Sequence, residues 1–332
     1  MLFREDKVAR ADAEAVRKNV GWYVWTHDLV EVHRKGARAL LDYICVNTIA
    51  NAGPGVSKYT TMLNDDGKII DDTIVTCFDD ETFWVSTLYG PKFQPLLEKY
   101  GEGRDVEWED LTRVIGMYAV QGPKALDMMN DLLETPLDDM KRFRMADNKL
   151  GDLPVKIHRS GFTGENGYEI YCKREEMPIV QKALEDASPK WDARELETLE
   201  VYVRSLPMEK GMALKQDMQG LTPNEAGLGW SVHMEKDFHG KEALETYEEQ
   251  YKLIGLVLDE DRESYEDIAQ NEPLLHKGVQ CGIVRQFIYG YTVEKNIGFA
   301  IVDKKFAEPG TVLTAGPNFA KVIVAEDKNF LG

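Results

Sequence analysis

The sequence predicts an α+β protein of two or three domains whose last unit is all-β. Three observations point there. Helical and strand-like periodicities alternate irregularly up to about Gln250, an Asp-Gly turn between two short apolar runs marks an antiparallel hairpin, and beyond about Tyr251 short strands are broken by glycine and proline. A chain of 332 residues with 43% apolar and 30% charged residues can bury more than one core, and it fits neither disorder nor a fibrous repeat.

Taken in order, the pattern suits a helix over Ala11–Val20, ended by Gly21, and then strands at Trp22–Trp25 and Leu29–His33. Gly36–Val46 reads as a second helix. Tyr59–Leu63 and Ile69–Thr76 are the two runs of the hairpin, joined by Asn64-Asp65-Asp66-Gly67. Phe83–Ser86 is a strand, Lys92–Tyr100 a helix, Arg113–Val120 a strand and Pro123–Leu133 a helix with proline in its first turn. After Gly151 a strand leads to the glycine-rich Ser160–Gly167, the strand Tyr168–Cys172, and helices near Glu175–Glu185 and over Ala193–Ser205.

Composition excludes several functions. No apolar run is long enough to span a bilayer, and Met1–Lys7 is charged where a signal peptide needs an apolar core, so the expectation is a soluble, cytoplasmic protein. The net charge of −18 argues against nucleic acid or anionic membrane as a partner. Cys45, Cys77, Cys172 and Cys281 are far apart and form no CxxC pair, and the six histidines form no HExxH motif, so neither a disulfide framework nor a metal site is expected.

The chemistry concentrates in two places. The glycine-rich stretch precedes a strand where a phosphate loop would open a helix, so it reads as a β-connection. Asp71 and Asp72 interrupt the β-branched run Ile69–Val75, where a carboxylate is costly unless bonded or used. Alternation sends the two acids to opposite faces, with Asp72 beside Ile70 and Ile74. A turn at Asp66-Gly67, or one residue earlier, puts Tyr59 directly or diagonally opposite Asp72. Asp71 or Asp72 as a mere acceptor for a neighbouring loop is the equally weighted alternative.

Asn64–Asp72 resembles the Asn-x-x-Gly-Gly-Ile-x-Asp-Asp signature of the folate-binding aminomethyltransferase (glycine cleavage T-protein) family. Val120–Ala125 is similar to its Leu-Gln-Gly-Pro-x-Ala, and Ser160–Glu169 to its Thr-Gly-Tyr-Thr-Gly-Glu-x-Gly-[Phe/Tyr]-Glu. Glu225–Trp230 and Asp237–Leu244 are similar to its Glu-Ala-Gly-Leu-Gly-Trp and Asp-Phe-x-Gly-Lys-x-Ala-Leu. The resemblance implies a three-lobed cloverleaf with tetrahydrofolate in a central channel. The lobes would be 1–30 with 117–245, an inserted 31–116, and a barrel-like 246–332.

On the same grounds Asp72 would lie beside the reacting nitrogens of folate and Glu169 would hold the pterin. A pterin edge offers two adjacent N–H donors, which a carboxylate accepts as a pair. Tyr59 and Phe162 match stacking positions, and His27 matches a histidine on the substrate side, for contact or leaving-group protonation. The chain departs from the pattern at Lys68, in place of a second glycine, at Phe162 for tyrosine and at Ser86 for asparagine. Arg204 sits one place from the arginine that meets the folate tail. The family's segment ahead of the first helix and its closing arginine-containing segment find no match.

The implied reaction moves a one-carbon unit from a small methylated or aminomethylated donor to N5 of tetrahydrofolate, with a carboxylate managing protons. Glycine cleavage on a lipoyl carrier protein is the alternative, which the net charge and the acidic loop Asp259–Glu263 oppose. A folate-binding iron–sulfur assembly factor would need Lys-Gly-Cys-Tyr-x-Gly-Gln where Lys210–Gln216 has no cysteine. A non-catalytic binding relative is disfavoured by the intact Asp72 and Glu169.

Overall fold

The computed structural model describes residues 2–25, 27–88, 90–259 and 264–332. Three sheets organise it. The first, in spatial order, contains Ala193–Glu195, Val20–Trp25, Ile115–Gln121, Gly167–Lys173, Leu153–His158 and Met145–Leu150, antiparallel except for the pairing of Ala193–Glu195 with Val20–Trp22. The second contains Ser57–Leu63, Ile69–Cys77, Thr82–Thr87, Asp28–His33 and Glu107–Asp110, all drawn from between the first two central strands of the first sheet. Tyr251–Leu258, Lys295–Asp303, Val279–Gly290, Pro273–His276, Val312–Ala315 and Ala320–Val324 close into a barrel. Of the acidic loop, Glu260–Glu263 lie outside the described residues.

Each sheet buries one apolar face. Helices Ala37–Ile44 and Gly90–Gly101 cover the second sheet, where Leu40, Leu41, Ile44, Phe83, Val85 and Phe93 are fully enclosed; each such side chain contributes about 1.5–3 kcal/mol by burial. Helices Ala125–Leu132 and Met177–Trp191 cover the first sheet around Trp22, Tyr168 and Ile170. The four cysteines are buried and unpaired. Among the described residues no helix is long and apolar enough to cross a membrane.

The first helix runs Lys7–Lys18, earlier than its apolar pattern suggests, because Asp6 caps it by accepting from the Ala9 N–H at 3.0 Å. The helix expected over Ala193–Ser205 starts late: the chain is helical only from residue 199 and runs on so to Glu209. Ala193–Glu195 is a strand, and a π-helical turn follows at Val201–Ser205. The buried Asp12 explains this: its Oδ2 accepts from the backbone N–H groups of Glu197 and Thr198, at 3.0 and 2.8 Å, so a side chain satisfies groups that a helix would have used. Strands Glu107–Asp110 and Met145–Leu150 are further additions. The former is an edge strand of mostly exposed, charged residues with no apolar period to betray it.

The hairpin is set by its turn. Asn64 Oδ1 accepts from the N–H groups of Asp66 and Lys68, and Gly67 adopts φ +73°, a left-handed conformation that favours glycine. With a bulge between Met62 and Leu63, Thr61 faces Asp72 and Tyr59 faces Ile74. Ile74 in turn faces Ser86. Tyr59, Ile74 and Ser86 thus form one row across three strands, and Asp72, two residues from Ile74, shares their face.

Candidate functional site

Asp72 anchors the first part of the site. Tyr59, diagonal to it, donates its hydroxyl to Asp72 Oδ2 at 3.1 Å. Burial pushes the Asp72 carboxyl up to about 7, helped by the negative charge of Asp71 and opposed by the Tyr59 hydrogen bond and the nearby Lys215. Asp71 points to the opposite, fully buried face, where Thr87 donates to its Oδ2. The adjacent acids therefore differ in environment as alternation requires, and the one on the Tyr59 face is poised to exchange protons near neutrality. Trp230, 67% exposed, stacks on Tyr59 with ring centroids 5.8 Å apart and an interplanar angle of 22°.

Glu169 anchors the second part. It is buried, and its Oε2 accepts from His158 Nδ1 at 2.9 Å and from the Tyr171 hydroxyl at 3.0 Å. Burial alone would raise its pKa, but the His158 hydrogen bond, the neighbouring His158 and His27 rings and the Tyr171 bond outweigh it and hold the group below the usual range. Glu169 is thus an ionised acceptor at neutral pH. His27 Nε2 lies 3.2 Å from the Tyr171 oxygen, and the Tyr171 ring packs on Trp84 with centroids 5.9 Å apart. Because Trp84 lies two residues from Ser86 on one strand and shares its face, Tyr171 ties the Glu169 group on the first sheet to the Asp72 face on the second.

The glycine-rich loop is built to carry these residues. Gly161 and Gly167 lie against the amide of the buried Gln121, where a Cβ would come within 1.9 and 2.2 Å of it. Gln121 Nε2 donates to the Ser160 carbonyl at 3.1 Å and its Oε1 accepts from Thr163 at 2.9 Å. Arg17 grips the same loop from the first helix, donating to the Thr163 carbonyl at 2.7 Å and to Glu165 at 3.0 Å. Its other nitrogen reaches the Leu206 carbonyl and the fully buried Glu209, both at 2.9 Å. Glu209 also accepts from Thr292 in the barrel. The loop, the first helix and the barrel meet at this ion pair.

Of the residues singled out in the sequence, Asp72, Tyr59 and Ser86 share a face, and Glu169 and His27 meet at Tyr171. Phe162 is half-buried in the loop. Arg204 is buried and bonds Asp217 at 3.1 and 3.3 Å, so a tail carboxylate would compete with Asp217 for it. Lys68 pairs with the buried Glu225 at 3.1 Å, which accounts for a lysine where the motif has glycine. Glu225 further accepts from the Thr222, Gln250 and Tyr251 N–H groups and the Tyr247 hydroxyl, so it organises the segment that presents Trp230.

Sequence reasoning missed Tyr171, His158, Lys215 and Trp230 as site residues. Tyr171 was within reach, because it lies two residues from Glu169 on one strand and must share its face. His158 lies opposite Glu169 in the ladder, a pairing that no local pattern announces.

Comparison with known proteins identifies the family. The profile of the GCVT N-terminal domain matches residues 3–236, and that of the glycine cleavage T-protein C-terminal barrel domain matches 252–326. The aminomethyltransferase of Bacillus subtilis is 30% identical over 323 residues, covering 92% of this chain and 85% of that protein. The heme-dependent oxidative N-demethylase gamma subunit of Ectopseudomonas mendocina is 30% identical over 319 residues, 90% of this chain and 81% of that one. In fold, the chain is similar to the glycine cleavage system aminomethyltransferase T of Bartonella henselae, with a TM-score of 0.85 at 23% identity over 99% of this chain and 91% of that one. With both domains matched in order around the Asp72 and Glu169 groups, the chain belongs to the glycine cleavage T-protein (aminomethyltransferase) family of transferases.

Proposed function

We propose that this transferase moves a methyl group from a small methylated donor to N5 of tetrahydrofolate. The observation that carries the reading is Asp72, a carboxyl held up to about 7 beside the Tyr59 hydroxyl. The residues fit a folate. Ionised Glu169 suits the paired N–H donors of a pterin edge, and Tyr59 beside Asp72 offers an aromatic face. When bound, tetrahydrofolate supplies the nucleophilic N5.

The protein's own contribution is alignment and proton handling. Glu169 fixes the pterin in orientation, and Asp72, ionised, takes a proton at its Oδ atoms, with Tyr59 stabilising the carboxylate by its hydrogen bond. One relative is named for oxidative N-demethylation, which supports a methylated amine as the source of the carbon; being oxidative, it does not speak for transfer at the methyl oxidation level. The names of other relatives favour a second reading, aminomethyl transfer from a lipoyl carrier protein. The net charge of −18 works against docking an acidic carrier. Incubation with tetrahydrofolate and a panel of methylated amines, ethers and sulfonium compounds, read by mass spectrometry, tests the proposal. It expects 5-methyl-tetrahydrofolate, and no methylated product from any donor would refute it.

A further inference from the structure

Hydrogen-bond accounting around Tyr171 assigns roles that distances alone leave open. The phenol has one proton to give and meets two partners, Glu169 Oε2 at 3.0 Å and His27 Nε2 at 3.2 Å. An ionised carboxylate can only accept, so the phenol proton goes to Glu169. The phenol oxygen can then only accept from His27, and His27 can serve only with its proton on Nε2. Burial lowers the His27 pKa, although the charge of Glu169 and the backbone carbonyls of Asp28 and His27 oppose it, so the ring is neutral. A neutral ring protonated on Nε2 carries a lone pair on Nδ1, and that atom is buried with no hydrogen-bond partner among the described residues.

We propose that Tyr171 is a positioning residue that sets the tautomer of His27: its single proton committed to Glu169, the phenol compels His27 to donate from Nε2 and to present Nδ1 as an acceptor. The assignment rests on the folate-site reading only in making this the substrate side. His27 then contacts a donor group of the substrate, an N–H or O–H, and has no free proton with which to assist a leaving group. One hydroxyl thereby couples the carboxylate that holds the pterin to the base that meets the donor.

The test is long-range proton–nitrogen correlation NMR of the full chain labelled with ¹⁵N-histidine, with His27 assigned by the signals lost in His27→Gln. At neutral pH the unsubstituted protein should show His27 protonated on Nε2, with that proton hydrogen-bonded and slow to exchange. Tyr171→Phe should lose the slowly exchanging proton. A proton on Nδ1 in the unsubstituted protein overturns the proposal, as does a protected Nε2 proton that survives in Tyr171→Phe. The first measurement needs no variant and so stands even if Tyr171→Phe does not fold. None needs folate, so failure of folate to bind in a separate titration would remove the functional reading and leave the tautomer assignment intact.

Discussion

Tyr59 and Asp72 lie on neighbouring strands, two positions apart across the ladder, and the phenol hydroxyl of one donates to Oδ2 of the other at 3.1 Å. This diagonal pair distinguishes Asp72 from Asp71, which alternation sends into the core beside Thr87. Asp72→Asn should lower turnover by about 10²–10⁴-fold, the usual worth of a positioned acid–base group, with folate affinity nearly unchanged. Asp71→Asn should keep most turnover. Steady-state kinetics decide, and equal losses in the two variants would refute the assignment.

The same pair predicts a pH dependence. If ionised Asp72 takes the proton, turnover should rise through an apparent pKa of about 7. Removing the Asp71 charge that helps to raise Asp72 should move this limb to lower pH in Asp71→Asn. A limb that stays in place in that variant would contradict the coupling.

Asp72 also sets a sign for stability. Its folded pKa of about 7 exceeds the ordinary 3.8, so between these values the folded state holds a proton that the unfolded chain has released, and stability falls as pH rises. Asp72→Asn removes that fall. Urea titrations should show the variant gaining stability relative to the parent from pH 5 to pH 8, and a constant difference would be the contrary result.

How much of this was legible in the sequence depends on how local the cause is. Asn64 and Gly67 announce their turn, and the period of two then places Asp72 on one face. Glu169 carries Tyr171 with it by the same rule. The reach of Arg17 to Glu209 and of Asp12 to Glu197 and Thr198 is long-range, and no window of sequence contains both partners. His158 and Glu169, only 11 residues apart, are paired by a ladder register that their own spacing does not fix. Edge strand Glu107–Asp110 is held by Asp28–His33 and carries no apolar signal of its own.

Arg17 and Glu209 give a further prediction about the scaffold. Both side chains are nearly inaccessible, at 8% and 0% exposure, so Arg17→Ala leaves a buried carboxylate uncompensated. The expected loss is about 3–5 kcal/mol, read by urea denaturation, and a change below about 1 kcal/mol would show the pair to be screened as at a surface.

Glu169 should be the strongest single determinant of folate affinity. Glu169→Gln is expected to weaken binding by roughly 1.5–3 kcal/mol, the worth of hydrogen bonds to a charged group. Calorimetric titration with tetrahydrofolate measures it, and an unchanged dissociation constant would place the pterin elsewhere.

The identity of the donor is the central claim, and one competition measures it. The enzyme is given tetrahydrofolate together with a methylated amine and, in parallel, an aminomethylated lipoyl carrier protein, while folate products are followed by mass spectrometry and ammonia release by a coupled assay. A chain of net charge −18 that uses a free donor should form 5-methyl-tetrahydrofolate from the amine and give little turnover with the carrier. Rapid, saturable 5,10-methylene-tetrahydrofolate with ammonia from the carrier, and no 5-methyl product, would contradict it.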